Sequence, residues 1–217
     1  MTFETNKNLG GAGALIIFVS FIIGAIPGVG GFTGILTLVG AILVLAALKG
    51  FADYYRERRI FNNALYALIV AIIGVVIVIL IGIFALTGLL NALGLNIRNV
   101  QDWAQLANIN WQTVDVNILL GFGAELLVGL VVLFIFVLIT AILLRSSLNL
   151  TAHRSGVGMF HTTGIVLLVG AILTIIVIGV LLIWISMLLL AVAFFSMRPV
   201  QSVPPTTVTQ TQAPTPV

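Results

Sequence analysis

The sequence predicts an all-α fold, a polytopic transmembrane helical bundle, and three observations carry the prediction. Of 217 residues, 61% are apolar and 7% are charged, where a soluble domain carries roughly 25% charged residues. The apolar residues gather in runs long enough to cross a hydrocarbon core of about 30 Å. The basic residues sit almost entirely in the short segments between those runs, the pattern of a topology signal. A chain this poor in charge cannot cover its own surface, so lipid is the solvent for most of it.

The first run is Leu9 to Ile26, ending at Pro27-Gly28-Val29-Gly30-Gly31, residues that break helices or tolerate unusual backbone angles. The N-terminus lacks a signal-peptide layout, so this run reads as a retained span. The second run, Phe32 to Leu48, completes a helical hairpin. Lys49 to Asn63 is the most polar stretch, with Lys49, Arg56, Arg58 and Arg59, and the positive-inside rule makes it cytoplasmic. The third run, Ala64 to Leu90, is long enough to tilt or to project beyond the bilayer. Asn91 to Asn117 has Arg98 against Asp102 and Asp115 and reads as external, with Trp103 and Trp111 at the surface. The fourth run is Ile118 to Leu144. Arg145 to Thr163, with His153, Arg154 and His161, reads as cytoplasmic again.

Gly164 to Met197 would span about 50 Å as one helix at 1.5 Å per residue. Two short spans turning near Gly179 keep the basic segments on one side. Six spans are therefore favoured, near residues 9–26, 32–48, 64–90, 118–144, 162–178 and 180–197; five would put the C-terminus outside. Residues 1–200 form one transmembrane helical domain. Residues 201–217, Pro- and Thr-rich without charge, are expected to be a disordered tail.

Composition narrows the function classes. Without cysteine there is no disulfide, thiolate metal site or cysteine nucleophile. Two histidines without HExxH-type spacing do not suggest a metal site. No dense basic face with interleaved aromatics points to nucleic acid. No phosphate-binding glycine loop or nucleophile elbow is present. We therefore expect no enzymatic activity and no cofactor.

Glu125 is the ionisable residue well inside an apolar run. Gly121, Glu125 and Gly129 share one helix face at i, i+4, i+8. Such an acid is expected to face the bundle interior, a partner or water, and the glycines let another helix approach. It is the candidate intramembrane site; a glutamate that merely ties helices together is the alternative. The candidate cytoplasmic interface comprises Lys49, Asp53, Tyr54, Tyr55, Arg56, Arg58 and Arg59. Asp53 and Arg56 can pair if the second helix continues past Gly50, and Asn62 and Asn63 can cap the third. Leu38–Leu43 and Leu168–Leu173 are both Leu-Val-Gly-Ala-Ile-Leu, an echo that interests a transport reading only if it marks an inverted repeat.

Three segments carry a family resemblance: Asn6-Lys7-Asn8-Leu9-Gly10-Gly11-Ala12-Gly13-Ala14; Ala47-Leu48-Lys49-Gly50-Phe51-Ala52-Asp53-Tyr54-Tyr55 with Ile60-Phe61-Asn62-Asn63-Ala64-Leu65-Tyr66; and Phe160-His161-Thr162-Thr163-Gly164. In these the chain resembles the prokaryotic, mostly archaeal, multi-span membrane proteins catalogued as domain of unknown function 996. The resemblance implies a membrane protein and supplies no catalytic residues. The resulting expectation is a multi-pass cell-membrane protein with a cytoplasmic N-terminus, acting without catalysis in assembly or membrane organisation. Its partners would be the lipid bilayer and other membrane proteins or copies of itself. The alternative is a small proton- or cation-linked transporter or channel using Glu125.

Overall fold

A computed structural model describes residues 2–26, 30–95, 114–176 and 178–199. The tail from 201 to 217, the turn at Pro27 and the segment with Trp103 and Trp111 lie outside the described residues. Six helices are long and apolar enough to cross a membrane. They are α1 (Phe3–Gly24), α2 (Thr33–Tyr54), α3 (Arg58–Ala92), α4 (Val116–Ser155), α5 (Met159–Leu173, tightening through Thr174–Ile176) and α6 (Ile178–Phe195). The last apolar stretch is therefore two helices, as the charge bias favoured, and no strand occurs among the described residues.

The helices overrun the apolar runs. α1 begins at Phe3 rather than Leu9, α2 passes Gly50 to reach Tyr54, and α4 carries Arg145, His153 and Arg154 that the sequence assigned to a loop. The polar segments shrink to Tyr55–Glu57 and Gly156–Gly158. A polar residue marks where a helix leaves hydrocarbon, not where its backbone hydrogen bonding stops. The caps set those limits. Thr2 accepts from the Thr5 amide at 3.2 Å and Asp115 accepts from the Asn117 amide at 2.9 Å, each occupying an orphan donor. Gly156, at φ +71°, ends α4 in a left-handed cap, with His153 and Arg154 complementing the helix dipole.

Neighbours in sequence are neighbours in space, and α6 returns to α1, closing a six-helix ring whose loosest seam is α2–α3. Two backbone crossings draw it tight. A Cβ on Gly13 would stand 2.7 Å from the Gly40 carbonyl, and one on Gly40 2.7 Å from the Gly13 carbonyl. Gly170 and Gly179 make the same kind of crossing between α5 and α6. Small residues give this closeness to helices in lipid. The echoed hexapeptide is thereby explained: Gly40 meets the preceding helix and Gly170 the following one, so the two copies mark two tight hairpins rather than a repeat.

Hydrogen bonds add to the crossings. Ser20 Oγ and Thr37 Oγ1 pair at 2.8 Å between α1 and α2. Trp184 Nε1 donates to the Phe18 carbonyl at 3.0 Å from α6 to α1, its ring stacked on Phe18.

The fully buried large side chains, among them Phe51, Phe160, Phe194, Ile60 and Leu148, gather at one end. There α1, α3 and α5 begin and α2, α4 and α6 finish. Arg98 lies outside the described residues, and the other eight Lys and Arg residues lie toward this same end; we call it the basic end. At the other end α3 and α4 continue alone. With 35 and 40 residues they are about 52 and 60 Å long, against about 33 Å for α1.

Gly40→Ala is expected to destabilise the solubilised protein by about 1–3 kcal/mol through overpacking. Gly82→Ala, where a Cβ meets nothing within 4 Å, should be neutral or stabilising by up to about 1 kcal/mol from helix propensity. Thermal unfolding in detergent, followed by size-exclusion chromatography, checks the contrast.

Candidate functional site

The basic end brings together two of the segments singled out in the sequence. α1 lays Asn6 flat against Gly50 of α2, where any Cβ would collide with the Asn6 amide. Asn6 is 2% exposed, and its Oδ1 has no hydrogen-bond partner among the described residues. Around it Phe3, Asn6, Lys49, Gly50, Asp53 and Tyr54 line a cavity of about 510 Å³. Lys49 and Asp53, four apart on α2, share one face. The Lys49 ammonium stands 5.9 Å from the Phe61 ring centre. Both residues are solvent-exposed, and neither belongs to an ion pair within 4 Å among the described residues.

An aromatic chain braces the cavity. Phe3 meets Phe51 and Tyr54 edge-on at 5.4 and 5.2 Å between ring centres. Phe51 stacks toward Phe194 at 6.1 Å, and Phe194 meets Phe160 edge-on at 5.1 Å. α1, α2, α6 and α5 are joined in this way. The Tyr55 hydroxyl is buried without a hydrogen-bond partner among the described residues. Burial, and secondarily Tyr54, pushes its phenol up to about 12, so it stays a neutral donor at physiological pH.

The turn from α2 to α3 departs from expectation. Arg56 adopts φ +54°, the left-handed position that glycine usually fills at a helix end. The Glu57 amide donates back to the Ala52 carbonyl at 2.9 Å. Arg56 is therefore off the helix and forms no ion pair with Asp53 among the described residues. Glu57 binds Arg154 of α4 at 2.7 Å instead, stapling the turn to the C-terminal end of the neighbouring helix. Asn62 and Asn63 are not caps but lie inside α3, where Asn63 Nδ2 donates to Ser146 Oγ of α4 at 2.9 Å. Arg58 and Arg59 are exposed in the first turn of α3. Cations are unfavourable at a helix N-terminus, so the helix dipole does not account for them.

Glu125 lies elsewhere. It is exposed on the outlying part of α4, its carboxylate oxygens 3.8 and 4.0 Å from where a Cβ on Gly88 of α3 would stand. Gly129 is buried against Ile81, while Gly121 faces open space. The stripe thus follows the α3–α4 seam without entering the ring. The ring interior holds apolar cavities of about 360 and 240 Å³ that share Phe21, Ala71, Thr140, Leu144 and Met187, and no ionisable residue lines either. His161 Nδ1 pairs with Asn149 Oδ1 at 2.8 Å, and no metal-binding cluster occurs among the described residues.

The family model described as "Protein of unknown function (DUF996)" matches residues 36–188. The chain belongs to this family. An uncharacterised protein of Methanocaldococcus jannaschii is 26% identical over 197 residues, which cover 91% of this chain and 94% of the relative. No solved structure matches. The matched segment holds Lys49, Asp53, Tyr54 and Tyr55 and the four helices from α3 to α6 in whole or large part. Asn6 and Phe3 precede it, and reading the sequence from its charges overlooked both. Their signal was the Asn-Lys-Asn segment opening the first apolar run.

The hydrogen bond from Arg154 holds the Glu57 carboxyl below its usual value of 4.5, aided by the charges of Arg154 and Arg59. The folded-state value is the lower one, so the contribution is full above the unfolded-state value and disappears as pH falls through the folded one. Wild type should therefore lose stability over Glu57→Gln as pH drops from about 6 to 3, their unfolding temperatures converging. Thermal scans of both proteins across that range measure it.

Proposed function

We propose that this is a non-enzymatic component of the cell membrane that assembles with other membrane proteins through the outlying part of the α3–α4 hairpin. One observation carries the reading: the hairpin is longer and more apolar than a single crossing needs. The α3 run from Ala64 to Leu90 spans about 40 Å. Fitting that into about 30 Å of hydrocarbon takes a tilt of roughly 40°, the upper end of what transmembrane helices adopt. Among the described residues its outer half packs along the α3–α4 seam, with Phe84 74%, Leu120 66% and Leu127 64% exposed. Glu125 stands exposed among them. An acid at membrane depth is costly unless protonated or partnered, which supports a neighbouring helix that donates a hydrogen bond to it.

The competing reading is proton- or cation-linked transport through Glu125. The space that Gly88 leaves beside the carboxylate favours it; the apolar ring interior does not. Gentle-detergent purification from the native membrane tests the first reading, with a single cysteine at Leu127 for cross-linking. A membrane protein recovered at fixed stoichiometry, cross-linked at Leu127 and lost in Glu125→Leu, is the expected result. Ion flux in liposomes of the purified chain, abolished by Glu125→Gln, would overturn it.

The positive-inside rule supports a cytoplasmic basic end. A single cysteine at Asp115 should then react with an impermeant thiol reagent on intact cells, and one at Thr5 should not.

A further inference from the structure

We propose that the cavity between α1 and α2 at the basic end binds the headgroup of an amino-phospholipid, with the ammonium toward Asn6 and Asp53 and the phosphate toward Lys49. Three features select that chemistry. Among the described residues nothing donates to the buried Asn6 amide oxygen, an unfavourable state until a donor arrives. The Asp53 carboxylate and the Lys49 ammonium, one turn apart on the same helix face, lack ion-pair partners within 4 Å among the described residues. The cavity therefore presents an acceptor pair and a cation side by side, matching a zwitterion whose positive end carries N–H groups. The Phe3 and Tyr54 rings also border the cavity, and aromatic faces favour a cation.

Position selects a lipid over a soluble zwitterion. The cavity sits where α1 and α2 pass from apolar to polar sequence, the level of headgroups. Gly50 is part of the device, because a side chain there would displace Asn6 from the cavity floor.

The full-length protein in detergent, titrated with dioleoylphosphatidylethanolamine and read by native mass spectrometry, tests this. Saturable binding is expected. Dioleoylphosphatidylglycerol lacks the ammonium and dioleoylphosphatidylcholine lacks its N–H groups, so each should bind about tenfold more weakly. Lys49→Gln and Asp53→Asn, both at exposed positions, should each weaken phosphatidylethanolamine binding about tenfold without moving the unfolding temperature of the lipid-free protein. Equal binding of the three lipids, or undiminished binding by Asp53→Asn, would overturn the proposal. Soluble phosphoethanolamine binding as tightly as the lipid would overturn the lipid assignment.

Discussion

Apolar burial gains little for helices surrounded by lipid, because the tails are as apolar as leucine. That constraint shapes this molecule. Within the hydrocarbon, the ring is held by atoms that only small residues bring together: Gly13 with Gly40, Gly170 with Gly179, and the Ser20–Thr37 hydroxyl pair. Toward the basic end the large side chains take over, and there the buried phenylalanines gather. Phe51, Phe160 and Phe194 are fully buried, and the Phe51–Phe194 stack links α2 to α6, which the crossings leave separate. Each such pair adds about 0.5–1.5 kcal/mol beyond the area it buries. The glycine crossings fix the helix pairs, and the aromatic cluster fixes how the pairs close into a ring.

The same constraint decides what the sequence could reveal. Helix number was legible because a span must be apolar over a set length, and the split of Gly164–Met197 followed from a length that no single crossing accommodates. Helix ends were not legible. Polarity stops at the membrane surface while the backbone continues, so Tyr54 and Ser155 end helices well beyond Leu48 and Leu144. Arg56 in a left-handed position carries no sequence signal, since glycine is the residue that announces such a cap. This one angle removed the Asp53–Arg56 pair and handed Glu57 to Arg154.

The candidate sites divide in the same way. Lys49, Asp53 and Tyr54 were found from their charge and ring chemistry in an apolar chain, and they do converge. Asn6 escaped because an uncharged residue outside an apolar run raises no alarm until its burial is known. Glu125 stands out as an acid in an apolar run, yet a glycine stripe on a helix face does not say which neighbour it meets. The neighbour is α3 alone, and the ring interior lies about 12 Å farther along α4, from Leu133 onward.

The two ends of the molecule therefore have different physics. The basic end is closed, aromatic and polar at its rim, with a hydrogen-bond acceptor left unsatisfied inside it. Among the described residues the opposite end is two helices sharing one seam, with mostly apolar exposed side chains and one acid, Glu125. A closed end with an unmet acceptor calls for a small molecule that completes it. An open pair with unmet surface calls for another helix. α3 and α4 run unbroken through both regions, and Glu57–Arg154 and Asn63–Ser146 tie the basic end to them, so the two ends share one scaffold although each is held by different interactions.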